Sequence, residues 1–390
     1  HRGALGGQGF GPLEQGFDIN IGGDHFGQPP SYFAPYSNKM RSLPGITNAP
    51  EGEYLTDRLT TEAEKFIEAK KDTPFFLYLP HFAVHTPLQA KKELQEKYKP
   101  GTPGKQGNPV YAAMLESLDE SVGRILKKLD DLKLAENTIV IFTSDNGGLA
   151  TGEGVINGIP ATINSPYREG KGFLYEGGLR VPFIFRGPGI KQGGFPFNSL
   201  DVFPTVLALC GIRHDGKPDG ANAAPQFRGE APDFMTSNPI PLYFWHYPHY
   251  ANQGSRPCGA VRMDNWKMIE FYDSNRRELY DLSKDISESR NVAEDNKLEV
   301  AALSKMLDNW RKEVGAKMPT PNPDYKPNPQ AKDGSVTLLG KYADVHGTQL
   351  RFEPLPHKNT LGFWTVKDDY VTFEFTLDTP GKFTVEVLQG

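Results

Sequence analysis

The chain of 390 residues has only two cysteines, no long apolar run and little net charge. Cys210 and Cys258 are too few and too far apart to form a zinc motif, and they do not decide the redox compartment. No stretch approaches the roughly 18 consecutive apolar residues of a membrane-spanning helix, so we expect no membrane span. A net charge of −5, with both signs interspersed, gives no electrostatic reason to expect nucleic acid as a partner.

The composition is that of a globular protein with a sizeable core, since 37% of the residues are hydrophobic and 23% are charged. The length suggests about two or three domains. Residues 1–42 are rich in glycine, proline and aromatic side chains, and they begin with neither an initiator methionine nor a secretory leader. The last residues break off after a strand-like alternation. We therefore expect both ends to have been cut from a longer protein.

Helix-like and strand-like patterns alternate over residues 1–240. Apolar residues recur at helical spacing in 56–70, with Thr56 or Asp57 as the predicted N-cap. Further helices are predicted at 109–133 and 200–209, and short apolar runs predict buried strands at 75–79, 138–143 and 182–185. Alternation of this kind predicts an α/β domain whose mostly parallel sheet is covered by helices.

The character of the sequence changes near residue 240. Residues 241–317 predict a small antiparallel subdomain, in which a hairpin turns at Asp264-Asn265 and a helix at 295–314 packs on the strands. A proline-rich linker is predicted at 318–335. Residues 336–390 then predict a partial all-β, sandwich-like domain, because two alternating segments around a turn at 378–381 suggest a hairpin.

An acid and an amide lie at the end of one predicted strand. The apolar residues 139–142 lead directly into Thr143-Ser144-Asp145-Asn146-Gly147-Gly148. In open α/β sheets, ligands collect at the carboxyl ends of the strands. Asp145 and Asn146 offer two oxygen donors there, and hard divalent cations such as calcium prefer oxygen. Taken alone, Asp-Asn-Gly-Gly is also a common turn sequence.

A glycine-punctuated loop with Lys171 at its centre follows, over residues 167–182. Taken alone, this lysine is typical of a solvated loop. The order of metal ligands, lysine loop and strand resembles the sulfatases of the alkaline-phosphatase superfamily. The resemblance covers roughly residues 8–330 and rests on several shorter segments in the family's order. These are Gly16-Phe17-Asp18, Tyr54–Asp57, Phe75–Tyr78, Pro80–Pro87, Tyr111–Gly123 and Ser199–Thr205.

The resemblance implies an alkaline-phosphatase-like fold and an enzyme that hydrolyses sulfate esters of carbohydrates or aryl compounds. Asp145 and Asn146 match two ligands of the family's calcium ion. Lys171 matches the lysine that contacts the sulfate and supports charge developing in the transition state. His85 matches the histidine near the leaving oxygen and is a candidate general acid. The resemblance also implies a periplasmic or secreted protein.

The family's nucleophile is absent from these residues. It is a formylglycine made from the first residue of Cys/Ser-x-Pro-x-Arg, and the partial matches at Ser237, Ser255 and Cys258 all fail. The paired aspartates that open the family's first strand and its Gly-Lys-Trp-His segment are absent too. We expect these parts to lie in a missing N-terminal segment. The chain alone is then expected to have no turnover.

Residues 243–250 form a dense cluster of aromatic and histidine side chains between two predicted domains. Sugar rings stack on aromatic faces, and imidazoles bond hydroxyl groups. His246 and His249 are therefore candidate substrate ligands, although core packing explains the cluster equally well. The expected partner is a sulfated small molecule or glycan, and the oligomeric state is open.

Two other functions remain as alternatives. Phosphodiesterases and phosphonate hydrolases of the same superfamily share the metal site, although the contexts of Lys171 and His85 favour a sulfatase. A non-catalytic glycan-binding protein could also lack a nucleophile. The presence of Asp145, Asn146, Lys171 and His85 argues against that alternative, because a protein without catalysis has no need of them.

Overall fold

The computed structural model describes residues 10–101, 107–152, 155–191, 194–230, 242–353 and 360–388. The chain divides into two compact units. The first comprises the described residues of His1–Ser165, Glu169–Lys171 and Gly177–Pro241, and the second those of Pro166–Arg168, Gly172–Glu176 and Leu242–Gly390. Over these described stretches, no helix is both long and apolar enough to cross a membrane.

The predicted helices are present with shifted ends. Neither Thr56 nor Asp57 caps the first helix, because it already begins at Leu55 and contains both residues. The long helix that follows is capped by Asn108, whose side-chain oxygen accepts from two backbone N–H groups of the first turn. The helices are α1 (Leu55–Lys70), α2 (Lys92–Gln95), α3 (Pro109–Asp131), α4 (Glu176–Leu179), α5 (Val202–Leu209), α6 (Ala224–Phe227) and α7 (Lys297–Glu313).

Helices α1 and α3 pack together and form the framework of the first unit. The hydroxyl groups of Thr60 and Ser121 lie 2.6 Å apart in this interface, and both residues are buried. Arg124 of α3 bonds Glu64 of α1 through its Nε atom, at 3.1 Å. The apolar spacing that predicts α1 thus marks the face that is buried against α3 and the neighbouring core.

Within the described residues of the first unit, two strands form a ladder, and they pair antiparallel. β1 (Val140–Thr143) aligns with β2 (Phe183–Arg186) so that Thr143 faces Phe183. The sequence predicts a mostly parallel sheet, whereas every strand ladder among the described residues is antiparallel. Residues 75–79, predicted as a buried strand, join no ladder there, and Phe76 is 68% exposed. Apolar spacing within one segment does not specify the hydrogen-bonded neighbour that defines a strand.

The second unit contains a four-stranded antiparallel sheet, which includes the predicted hairpin, and its first strand carries most of the predicted aromatic and histidine cluster. Its strands, in spatial order, are β3 (Leu242–Tyr247), β4 (Cys258–Met263), β5 (Trp266–Phe271) and β6 (Arg277–Asp281). The hairpin turns at Asp264, which adopts the left-handed conformation (φ 53°) that aspartate tolerates. Leu303 and Leu307 of α7 are buried against the sheet and form its core with Val261, Met268 and Leu279.

The remaining strands are short. They are β7 (Asp344–His346), β8 (Arg351–Glu353), β9 (Thr360–Gly362) and β10 (Tyr370–Thr372). β8 pairs with β9, and β10 pairs with β7. The hairpin predicted around the turn at 378–381 is not formed, because residues 373–388 contain no strand and β10 pairs with β7. Residues 318–335 contain no helix or strand.

Candidate active site

The turn after β1 presents the predicted metal ligands. Asp145 is exposed, and Asn146 is partly buried. The side-chain amide of Asn146 donates to the carbonyl oxygen of Gly147 at 2.9 Å, and the hydroxyl of Ser144 donates to the carbonyl oxygen of Asn146 at 2.8 Å. The nitrogen of the Asn146 amide is thus engaged within the turn. The side-chain oxygen of Asn146 is the atom suited to bind a cation.

The two glycines after this turn are required by close packing, Gly147 against backbone and Gly148 against side chains. A Cβ atom on Gly147 would lie 1.7 Å from the carbonyl oxygen of Gly177, and one on Gly148 would lie 2.4 Å from a methyl group of Thr162. The N–H of Gly147 donates to the carbonyl oxygen of Gly178 at 2.9 Å. Gly-Gly in the first motif therefore meets Gly-Gly in the second, and this contact brings the two motifs together.

The loop with Lys171 packs on the same turn. The backbone N–H of Lys171 donates to the carbonyl oxygen of Gly148 at 3.1 Å. Asn164 joins the two loops, because its amide donates to the carbonyl oxygens of Gly148 and Glu169, each at 2.9 Å, and its side-chain oxygen accepts from the N–H of Gly148. Sequence reasoning missed Asn164, since it lies in a stretch with no apolar periodicity.

His85 and Lys171 meet directly. The Nζ atom of Lys171 lies 2.8 Å from Nε2 of His85, and both side chains are partly buried. The other ring nitrogen of His85, Nδ1, lies 3.0 Å from the carbonyl oxygen of Thr86. An ammonium group can only donate, so Nε2 accepts in this contact. The ring proton is then on Nδ1, which donates a hydrogen bond to the carbonyl oxygen of Thr86. The contact therefore selects one tautomer of a neutral imidazole.

The backbone around His85 is held by a residue that the sequence did not suggest. The hydroxyl of Tyr32 donates to the carbonyl oxygen of His85 at 2.9 Å, and the N–H of His85 donates to the carbonyl oxygen of Phe82 at 2.8 Å. Tyr32 is fully buried. A buried tyrosine normally finds a partner for its hydroxyl, and here that partner is the backbone of the candidate acid.

The structure brings four of the six predicted site residues into one region of the first unit: Asp145, Asn146, Lys171 and His85. Oxygen donors of the aspartate and amide type suit a hard divalent cation, but calcium takes about six to eight oxygen ligands. Across the described part of the chain, no three His, Cys, Asp or Glu side chains group as a metal site. The residues present fit part of a calcium shell and do not complete it.

His246 and His249 belong to the second unit. Nδ1 of His246 lies 2.8 Å from the hydroxyl of Tyr272, and Nε2 lies 2.9 Å from the carbonyl oxygen of Lys317, so both ring nitrogens have partners within the protein. His249 is exposed, and its ring meets the ring of Tyr247 edge-on. The substrate-binding role of the two histidines stays a prediction.

Comparisons with known proteins identify the family to which this chain is similar. The sequence model of the Sulfatase family matches residues 5–212, and that of the N-sulphoglucosamine sulphohydrolase C-terminal region matches residues 169–313. A sulfatase from Formosa agariphila is 33% identical over 302 residues, which are 70% of this chain and 52% of that protein. An N-acetylgalactosamine-6-O-sulfatase from Bacteroides thetaiotaomicron is 31% identical over 66% of this chain and 51% of its own length.

The fold also has solved counterparts. The structure described as Ps i-CgsB in complex with k-i-k-neocarrahexaose aligns with a TM-score of 0.60 and 28% identity, covering 78% of this chain and 68% of that one. The predicted alkaline-phosphatase-like α/β class is thereby confirmed. The chain spans about half the length of the curated relatives that it matches. Because the Sulfatase model matches more than half of its residues, the chain belongs to the sulfatase family.

Proposed function

We propose that this chain is the part of a sulfuric ester hydrolase that binds the sulfate group and protonates the leaving oxygen. The observation that carries the proposal is the 2.8 Å contact between Lys171 and His85, beside the turn of Asp145 and Asn146. A lysine ammonium and an imidazole at this distance from each other can bind neighbouring oxygen atoms of one ester group. Sulfate ester hydrolysis needs both functions, because sulfate oxygens and the leaving alkoxide both gain charge in the transition state.

Lys171 would donate to a sulfate oxygen and stabilise the negative charge there. His85 would hold a proton for the bridging oxygen, with its orientation set by Thr86 and by the backbone contact to Tyr32. When substrate binds, the Lys171 ammonium exchanges its partner Nε2 for a sulfate oxygen. Nε2, released from Lys171, would then take up a proton from solvent, and the imidazolium so formed would donate that proton to the leaving oxygen.

Family membership implies a divalent cation and a formylglycine. Asp145 and Asn146 would supply two oxygen ligands of a calcium ion, and the remaining ligands would come from other parts of the parent enzyme. Cys/Ser-x-Pro-x-Arg does not occur in these 390 residues. We therefore assign the nucleophile to a segment beyond them, and we expect no turnover from this chain alone. A formylglycine in that segment would supply the oxygen nucleophile.

The substrate proposed for the parent enzyme is a sulfated carbohydrate. The Bacteroides relative is named for a sulfated sugar, and the solved Ps i-CgsB structure holds a carbohydrate. His246 and His249, with the aromatic residues beside them, remain the proposed contacts to the sugar. A periplasmic or secreted location suits such a substrate. The proposed domain bounds are 1–240 for the catalytic part, 241–317 for the antiparallel subdomain, 318–335 for the linker and 336–390 for the β region.

The test uses the parent enzyme, meaning the longer protein that carries this chain together with the nucleophile segment. Release of inorganic sulfate from a sulfated oligosaccharide is followed by ion chromatography. We expect release by the parent enzyme and its loss in the Lys171→Ala variant. The matched control is Lys133→Ala, which removes another loop lysine and lies outside the site. Sulfate release that survives in Lys171→Ala would contradict the proposal.

A further inference from the structure

The loop that carries Lys171 is closed at its base by two side chains. Arg168 precedes the loop tip and Tyr175 follows it, and the guanidinium of Arg168 lies over the Tyr175 ring, 3.9 Å from its centre. Both residues belong to the second unit, together with Gly172 and Glu176. A short loop with its ends held together has far fewer conformations than an open one.

Both ends of this loop are tied to one carboxylate oxygen. At the first end, the guanidinium of Arg168 donates to the hydroxyl oxygen of Tyr280 at 3.0 Å, and that hydroxyl donates to Oε2 of Glu278 at 2.9 Å. At the second end, the hydroxyl of Tyr175 donates to the same Oε2 atom at 2.7 Å. Glu278 lies on β6 and is buried, as are Tyr175 and Tyr280.

A second buried carboxylate holds Glu176, the first residue of α4, which directly follows the loop. The backbone N–H of Glu176 donates to Oε2 of Glu288 at 2.6 Å, and Arg168 also donates to the carbonyl oxygen of Glu288 at 3.1 Å. The ammonium of Lys267 lies 3.0 Å from the Glu176 carboxylate and 2.9 Å from that of Glu288. All of these groups are buried apart from Arg168, which is partly buried.

These buried charged groups are an expensive way to stabilise a fold. Removing charged groups from water costs several kcal/mol per ion, and well-packed apolar residues often replace buried ion pairs at no loss. Burial raises the pKa of Glu278, but the nearby guanidinium groups of Arg276 and Arg168 outweigh it and hold the pKa below its usual range. Burial raises the pKa of Glu288 despite the nearby Lys267. Glu278 is thus the carboxylate whose charge the surroundings favour.

We propose that Glu278 is a positioning residue for Lys171, because its single oxygen Oε2 gathers both ends of the lysine loop through Tyr175 and through Tyr280 and Arg168. The inference rests on the proposed function of Lys171 as the sulfate contact. Glu278 does not touch the substrate in this account. It limits the conformations open to the segment Arg168–Tyr175, and a flexible lysine side chain is useful for catalysis only from a fixed backbone.

The chain contains a matched control. Glu270 on the neighbouring strand β5 is also a buried carboxylate, and it pairs with Arg277 and Arg311, each at 2.9 Å. Neither of these partners belongs to the lysine loop. Glu270→Gln and Glu278→Gln therefore remove the same charge from the same sheet, and only Glu278→Gln removes it from the loop base.

The first measurement is amide hydrogen exchange on the 390-residue chain, compared with its unfolding in urea. Relative to Glu270→Gln, we expect Glu278→Gln to speed exchange in residues 168–176 by about 10-fold or more, with a similar or smaller shift in the urea midpoint. If Glu278→Gln does not fold, Tyr175→Phe replaces it in this measurement, because it removes one of the hydrogen bonds to Oε2 of Glu278. Unchanged loop exchange in the folded variants would overturn the proposal.

The second measurement is kcat and KM in the parent enzyme. We expect Glu278→Gln to lower kcat/KM for a sulfate ester by roughly 10- to 100-fold, because small misplacements of a catalytic group are costly, while Glu270→Gln stays close to the unaltered enzyme. Equal losses in the two variants would make Glu278 an ordinary structural residue and overturn the proposal. A parent enzyme without sulfatase activity would instead refute the proposed function, and the exchange result would still decide the loop.

Discussion

The Nζ atom of Lys171 lies 2.8 Å from Nε2 of His85, although the two residues are 86 positions apart in the sequence. Each belongs to a loop that is fixed by backbone hydrogen bonds, Lys171 to Gly148 and His85 to Phe82. In the proposed function, this contact joins the sulfate-binding lysine with the histidine that protonates the leaving oxygen. When a sulfate ester binds, each of the two side chains would exchange this contact for one with the ester, and neither would need to move far.

The acid role of His85 predicts a dependence on the leaving group. A nitrophenyl sulfate leaves as a stable phenolate and needs little proton donation, whereas a sugar alkoxide needs a good deal. In the parent enzyme, His85→Ala should depress hydrolysis of a sulfated sugar far more than that of nitrophenyl sulfate. The measurement is kcat/KM on both substrates. Equal losses, in a protein that still folds, would leave His85 as a sulfate contact or a packing residue.

The metal-ligand role of Asp145 and Asn146 predicts rescue by calcium. A missing ligand lowers occupancy, which a high calcium concentration partly restores. A missing lysine removes charge stabilisation, typically about 10²–10³ in rate, which no cation concentration restores. Titration of activity with calcium in Asp145→Ala, Asn146→Ala and Lys171→Ala separates the two roles. The assignment would be wrong if all three variants responded alike.

Close packing at Gly147 predicts a large loss of stability in Gly147→Ala. The added methyl group would meet the backbone of Gly177, which cannot rotate away, so we expect destabilisation of at least about 2 kcal/mol in urea unfolding. Gly123→Ala is the control, because Gly123 lies in α3 with open space around it. That variant should gain roughly 0.5–1 kcal/mol. Similar effects at both positions would contradict the packing argument.

The two cysteines should differ in reactivity. Burial raises the pKa of the Cys258 thiol to about 12, so almost no thiolate forms at pH 8. Cys210 is exposed. Because the thiolate is the reacting species, we expect dithionitrobenzoate at pH 8 to label one thiol per folded chain and both thiols in urea. Mass spectrometry identifies the labelled site, and labelling of Cys258 before unfolding would contradict this placement.

The helices and the hairpin could be predicted because their signals are local. The spacing of apolar residues in α1, α3 and α7 marks the face that each helix buries, and the Asp264 turn links two alternating segments. Strand pairing is not local. Nothing within residues 75–79 or within β10 specifies the partner strand. The parallel sheet and the last hairpin were therefore predicted from patterns that carry no information on strand pairing.

The candidate site could be predicted residue by residue but not as an arrangement. The motifs named Asp145, Asn146, Lys171 and His85, while the hydrogen bonds of Asn164 and Tyr32 depend on folding contacts between distant segments. Glu278 was hidden for a similar reason. It lies in an alternating strand sequence, and the sequence does not show that a carboxylate on β6 faces the guanidinium of Arg276 and two tyrosine hydroxyls.

The proposed function assigns Lys171 and His85 to the hydrolysis of a sulfate ester. The most direct measurement compares kcat/KM of the parent enzyme on nitrophenyl sulfate and on nitrophenyl phenylphosphonate, which share one leaving group, in unaltered protein and in Lys171→Ala. We predict that the sulfate ester is the better substrate and that Lys171→Ala abolishes this preference together with most of the rate. A better rate on the phosphonate ester, or an unchanged rate on the sulfate ester in Lys171→Ala, would contradict the account.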